Sequence, residues 1–172
     1  RPDDDIGELG RLVGELAAAV RRRGLRFGVY YSAGLDWTWE DRPIVEPLDM
    51  FAAVPRDPAY VAYVDAHLRE LVDRYRPSIV WNDIASPPGF DLRSFLTYYL
   101  ERVPDGTTND RWHEPPPLIE RDPVRRMLNS AAAVALPRLP ARPIESAPLA
   151  LADFRTPEYS SPPEARTGKW ET

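Results

Sequence analysis

The apolar run Ile79-Val80-Trp81-Asn82-Asp83 ends on a carboxylate, which is where the 172-residue chain first combines residue type and position in a way that suggests chemistry. In parallel α/β architectures the reacting groups gather beyond the carboxyl ends of the strands, so an ionisable residue closing an apolar strand is a candidate for catalysis. Side chains alternate along a strand with a period of two, which puts Trp81 and Asp83 on one face. Tyr30 and Ser32 hold the corresponding place on the preceding apolar run, and Asn109, Asp110 and Arg111 close the following one. On pattern alone each has a plainer reading. Asp83 could cap a helix or form a turn, Asn109-Asp110-Arg111-Trp112 could be a turn with a surface ion pair, and Tyr30 and Trp81 could be core aromatics.

Other chemistries are excluded by what is missing. The chain has no cysteine, which removes thiolate nucleophiles, disulfides and cysteine metal sites. Its two histidines, His67 on a helix flank and His113 in a loop, are too far apart in the sequence to suggest a metal constellation, so neither metal nor cofactor is expected. The net charge of −5 and the scattered Lys and Arg give no reason to expect nucleic acid as a partner. No apolar run approaches the roughly 18 residues that would cross a bilayer, so no membrane association is expected. Compartment and oligomeric state stay open.

The elements that must hold these residues can be read from periodicity. Ile6, Leu9, Leu12, Val13, Leu16, Ala17 and Val20 recur at steps of three and four and predict an amphipathic helix, with Arg21 to Arg23 at its carboxyl end and Gly24 as its cap. The run 26–32 is rich in aromatic and β-branched residues and predicts a buried strand. Asp57-Pro58 offers a cap and a first-turn proline for a second helix through Val61, Val64, Leu68, Leu71, Val72 and Tyr75. Pro77 stops it before the strand 78–83. Asp91 can cap a third helix through Leu92, Phe95, Leu96, Tyr99 and Leu100, and Pro104-Asp105-Gly106 turns the chain into 107–110. Helix and strand in strict succession predict parallel strands joined by crossovers. Beyond Trp112 the composition changes. Pro115, Pro116, Pro117, Pro123, Pro137, Pro140, Pro143 and Pro148 disfavour regular structure across 113–150 except around 124–136.

Five blocks, in order, resemble the family 29 α-L-fucosidases. They are Gly24-Leu25-Arg26-Phe27-Gly28-Val29-Tyr30-Tyr31-Ser32 with Leu35-Asp36-Trp37 behind it; Tyr75-Arg76-Pro77-Ser78-Ile79-Val80-Trp81-Asn82-Asp83; Thr108-Asn109-Asp110-Arg111-Trp112; Asp153-Phe154-Arg155-Thr156-Pro157-Glu158-Tyr159; and Lys169-Trp170-Glu171. The resemblance implies a (β/α)8 TIM-type barrel, of which these residues are the central βα units only, because a whole barrel needs about 250 residues. On that reading 1–172 is part of one catalytic barrel domain, and 113–150 is a Pro-rich insertion or loop within it. It further implies a retaining exo-glycosidase acting on fucosylated oligosaccharides or glycoconjugates. Asp83 takes the place of the nucleophile, Glu158 that of the general acid/base, and Tyr30, Trp81 and Arg111 those of fucose contacts. Such an enzyme needs two carboxyl groups about 5–5.5 Å apart, one attacking the anomeric carbon and one serving the leaving oxygen and then water.

Two expectations qualify that picture. In compact family members the Asn-Asp-Arg-Trp and Thr-x-Glu-Tyr blocks lie close together, whereas here 113–150 separates them. The family's fucose-binding histidines lie on earlier strands than any present here, so this piece alone is expected to be inactive. A glycosidase of different sugar specificity, or a carbohydrate-binding relative without turnover, are the competing readings.

Overall fold

The computed structural model describes residues 2–135, 152–154 and 156. Its centre is a three-stranded parallel sheet in the order β1 (Gly28–Tyr31), β2 (Ile79–Asn82), β3 (Thr107–Thr108). Gly28 pairs with Ile79 and Tyr31 with Asn82, while Ile79 and Val80 pair with Thr107 and Thr108. This register brings the carboxyl ends of all three strands to one edge. The helices that make the crossovers are α3 (Pro58–Tyr75) and α4 (Leu92–Arg102), with α1 (Pro2–Arg22) preceding β1 and a single turn, α2 (Asp49–Ala52), inside the long connection after β1.

The helix ends follow from local chemistry. Asp57 accepts a hydrogen bond from the amide of Ala59 at 2.8 Å, and Pro58 fills the first helical position, where a missing N–H costs nothing. Arg76 then takes a left-handed conformation (φ 41°) and its amide returns to the carbonyl of Val72, ending α3 before Pro77. Asp91 caps α4 by accepting from the amide of Ser94 at 2.9 Å. Gly24, at φ 72°, turns the chain out of α1 into β1, a conformation that a residue with a Cβ resists.

Packing puts α3 and α4 over one face of the sheet. Val64, Leu68 and Val72 from α3 and Phe95 and Tyr99 from α4 meet Val80 of β2 and Trp112, all of them buried. Burying side chains of this size stabilises by about 1.5–3 kcal/mol each. A smaller cluster of Ala17, Phe27 and Tyr75 docks α1 onto α3, and the Tyr75 hydroxyl donates to the Gly10 carbonyl at 2.9 Å. The described side chains of the apolar stripe expected on this helix divide. Val13, Ala17 and Val20 face the cluster, whereas Leu12 and Leu16 are exposed. The run 26–32 also falls short of a buried strand. β1 covers four residues, with Gly28 and Tyr30 exposed on the face that α3 and α4 leave uncovered among the described residues.

Regular structure in the proline-rich stretch falls where the sequence left room for it, around 124–136, with one further turn before it. A 3-10 turn at Pro117–Glu120 leads into α5 (Asp122–Ala135), with Pro123 in the first turn, where proline is tolerated. Arg125 fixes this helix to α2: its Nε lies 2.8 Å from Asp49 Oδ1 and its Nη1 donates to the Ile119 carbonyl at 3.1 Å. The Asn129 side chain accepts from the amide of Leu48. Among the described residues no helix is long and apolar enough to cross a membrane.

Candidate active site

The loops leaving β1, β2 and β3 converge around Asn82. Its side chain accepts from the Ala33 amide at 3.2 Å and donates to the carbonyls of Ala85 at 3.1 Å and Arg111 at 2.9 Å, so one buried amide ties together the exits of all three strands. Asn109 extends the sheet with its side chain. Its Oδ1 accepts from the Asn82 amide at 2.9 Å and its Nδ2 donates to the Asn82 carbonyl at 2.8 Å, as a further residue of β3 would. Both asparagines are fully buried, and a buried amide is tolerated because its donors and acceptors are matched.

Asp83 stands on this platform. Its amide donates to the Tyr31 carbonyl at 3.0 Å, continuing the β1–β2 ladder by one residue. Oδ1 accepts from Arg111 Nη1 at 2.8 Å and from the Ile84 amide at 2.8 Å, and Oδ2 accepts from the Tyr30 hydroxyl at 2.7 Å. Ile84 itself sits at φ 72°, and the Ala85 amide bonds back to the Asp83 carbonyl at 2.9 Å. This is a γ-turn of the rare hand, strained for a β-branched residue, and it directs the Ile84 N–H onto the carboxylate. Strain of this kind concentrates at functional sites.

The aromatic residues complete one wall. Tyr30 and Trp81 stack with centroids 5.2 Å apart and planes 20° from parallel, and the Arg111 guanidinium lies over Trp81 at 4.9 Å from its centroid. Burial, then the hydrogen bond to Asp83, pushes the Tyr30 hydroxyl up to about 12, so it stays a donor throughout the neutral range. The Asp83 and Arg111 side chains are 20% and 16% exposed, which leaves the pair reachable by a small ligand.

Four of the five residues singled out in the sequence, Tyr30, Trp81, Asp83 and Arg111, therefore lie in one constellation. The fifth, Glu158, lies outside the described residues. Its block is nonetheless represented by Asp153 and Thr156, some forty residues along the chain from β3. Asp153 pairs with Thr108 through its amide and its carboxylate, both at 2.9 Å. Thr156 accepts from Arg111 Nε at 2.7 Å through its hydroxyl and from Nη2 at 3.1 Å through its carbonyl. The same hydroxyl donates to Asp110 Oδ1 at 2.8 Å, and the Thr156 amide reaches that oxygen at 3.2 Å. Asp110 is thus buried, and Asn109-Asp110-Arg111-Trp112 is no surface turn. The indole of Trp112 donates to Thr108 Oγ1 at 2.8 Å.

Sequence reasoning missed Asn82, Asn109 and Thr156 as the residues that hold this arrangement. A signal for the first was present: with Trp81 and Asp83 on one face, Asn82 must point to the helix-covered face, where an amide survives only with partners. Among the described residues no group of three His, Asp or Glu side chains is placed to hold a metal ion.

Comparison with known proteins points in one direction. The family model described as Alpha-L-fucosidase matches residues 5–172. The chain is 32% identical over 114 residues to tissue alpha-L-fucosidase of Mus musculus and 34% identical over 115 residues to plasma alpha-L-fucosidase of Homo sapiens, in each case over 63% of this chain and 24% of the relative. It thus spans about a quarter of the length of these curated relatives. Among solved structures it is similar to Thermotoga maritima alpha-fucosidase in complex with fucose, at 34% identity and a TM-score of 0.65, covering 92% of this chain and 29% of that one. The same protein in complex with a mechanism-based inhibitor gives 35% identity and a TM-score of 0.64, with the same coverage.

Proposed function

Because the chain belongs to the alpha-L-fucosidase family, we propose that it carries the nucleophile of a retaining exo-α-L-fucosidase, which releases terminal fucose from glycoconjugates by double displacement. The observation that carries this reading is Asp83 at a strand's carboxyl end, bonded by the Tyr30 hydroxyl and the Arg111 guanidinium on its two oxygens. A carboxylate so held has its rotamer fixed while part of its surface stays open, as attack on an anomeric carbon requires. The complex of the Thermotoga maritima relative with fucose supports the same substrate class.

The sheet itself supports a (β/α)8 barrel. Its strands are parallel and sequential, its crossover helices lie on one face, and Tyr30 and Trp81 project from the other, where a barrel would have its interior. In the first step an Asp83 oxygen attacks the anomeric carbon, displacing the aglycone oxygen and forming a fucosyl ester. Glu158 protonates that leaving oxygen, then removes a proton from the water that hydrolyses the ester. Support for Glu158 comes from its neighbour in sequence Thr156, which accepts from Arg111, the partner of Asp83. Trp81 offers an apolar wall for the methyl group that distinguishes fucose from most hexoses.

The test is Asp83→Gly in the full-length polypeptide, assayed on an aryl α-L-fucoside. Turnover is expected to vanish with the fold intact by circular dichroism. Retained activity would remove Asp83 from the mechanism.

A further inference from the structure

We infer that the groove beside the connection after β1 receives the leaving-group sugar of the substrate, with Trp37 as its stacking platform. The inference rests on the fucosidase reading above and extends it across the scissile bond.

The groove encloses about 790 Å3, within the roughly 300–1,000 Å3 typical of ligand sites. Leu35, Trp37 and Ile44 give it an apolar floor, and Asp41 and Arg42 stand among the polar groups at its edge. Its position relative to Asp83 is set by a close backbone approach. A Cβ placed on Gly34 would lie 3.0 Å from the Ala85 nitrogen and 3.1 Å from Ile84 Cγ2, so the chain enters the groove directly from contact with the turn that follows Asp83. The same chain arrives from Tyr30, whose hydroxyl is on the carboxylate.

Trp37 is 85% exposed, in contrast to Trp112, which is 3% exposed in the core. That exposure is built by rigid neighbours. The Asp36 carboxylate accepts from the Thr38 amide at 2.9 Å and the Thr38 hydroxyl at 2.6 Å, and the amides of Trp39 and Glu40 both reach the Asp36 carbonyl at 3.0 Å. Trp39 is packed on Tyr60 and Tyr63 of α3 at 5.4 and 5.6 Å, which anchors the turn from below. The backbone that carries Trp37 is therefore held in a fixed turn, with the indole exposed. An indole face carries negative potential, and the C–H bonds on one face of a pyranose ring present a matching positive one. The carboxylates and the guanidinium around it are acceptors and donors for sugar hydroxyls. With three acids (Asp36, Glu40, Asp41) against one Arg42, the lining favours a neutral pyranose over an anionic ligand.

The experiment compares two fucosyl donors on the full-length polypeptide: α-L-fucosyl fluoride, whose leaving atom cannot reach the groove, and fucosyl-galactose. Trp37→Ala is expected to lower the ratio of kcat/KM for the disaccharide to that for the fluoride about tenfold, and Trp37→Phe is expected to recover most of the loss. Val45→Ala, an equally exposed position outside the lining, should keep the wild-type ratio. An unaltered ratio in Trp37→Ala, or an equal loss on both donors, would overturn the subsite while leaving the fucosidase reading intact. A wild-type protein that cleaves neither donor would overturn both.

Discussion

Replacing Arg111 by lysine keeps the charge beside Asp83 and removes the fork that joins it to the 153–156 segment. Among the described residues the guanidinium makes three bonds: Nη1 to Asp83 Oδ1, Nε to Thr156 Oγ1 and Nη2 to the Thr156 carbonyl. An ammonium on a flexible stem can keep the first and cannot span the other two. Hydrogen bonds to a charged group contribute about 1.5–3 kcal/mol each, and 16% exposure of the side chain argues for the lower end. Two lost bonds then come to about 3 kcal/mol, or roughly 150-fold in kcat/KM if the tether positions the reacting groups. The assay is kcat/KM on an aryl α-L-fucoside for Arg111→Lys, Thr156→Ala and the double variant. Because both changes break the Arg111–Thr156 contact, while Thr156→Ala also removes the hydroxyl's bond to Asp110, the double variant should lose clearly less than the sum of the two single losses. A loss under threefold, or full additivity, would refute the idea that Arg111 couples Asp83 to this segment.

Three other perturbations follow from the same geometry. Ile84→Gly releases strain of about 1–3 kcal/mol against unfolded-chain entropy of about 0.5–1 kcal/mol, so on backbone terms urea unfolding should shift by between zero and about 2.5 kcal/mol toward greater stability. Its kcat should fall as Asp83 loosens; a normal kcat would show that the strained turn positions nothing. Asp49→Ala leaves Arg125 with one carboxylate partner and should cost about 1.5–3 kcal/mol on denaturation. The Asp49 carboxyl is held low, chiefly by the Glu46 amide, so its own contribution is present above the ordinary carboxylate range and lost as pH falls below it. The Tyr30 hydroxyl is raised, so between pH 10 and 12 the unfolded chain has lost a proton that the folded one keeps. Its contribution is complete below pH 10 and disappears as pH rises to 12. The phenolate absorbance difference between wild type and Tyr30→Phe should accordingly titrate near 12; a midpoint at 10 would contradict the bond to Asp83.

Much of the scaffold was legible because it depends on short-range rules. Asp57-Pro58 and Asp91 announce their helices through capping chemistry, Gly24 announces a left-handed turn, and helix–strand alternation announces a parallel sheet. The missed features depend on long-range contacts. Leu12 and Leu16 match the helical stripe, yet only Val13, Ala17 and Val20 meet Phe27 and Tyr75. α2 is a single turn, too short for any periodicity to register. α5 was foreshadowed at 124–136, but its anchoring by Arg125 to Asp49 spans 76 residues that no local pattern connects. In the site, position along a strand was enough to single out Asp83, and family blocks brought in Tyr30, Trp81 and Arg111. The bonds of Thr156 to Asp110 and Arg111 were invisible because the intervening proline-rich stretch hides their proximity. The left-handed turn at Ile84 had no sequence signal either, since nothing about isoleucine favours it.

On the proposed mechanism Asp83 forms a covalent bond to fucose during turnover. The direct measurement is to trap the full-length polypeptide with 2-deoxy-2-fluoro-α-L-fucosyl fluoride, whose second fluorine slows hydrolysis of the ester, and to locate the adduct by peptide mass spectrometry. The expected result is a fluorofucosyl ester on Asp83, absent from Asp83→Gly. An adduct on another carboxylate, or release of inverted β-fucose with no adduct at all, would contradict it.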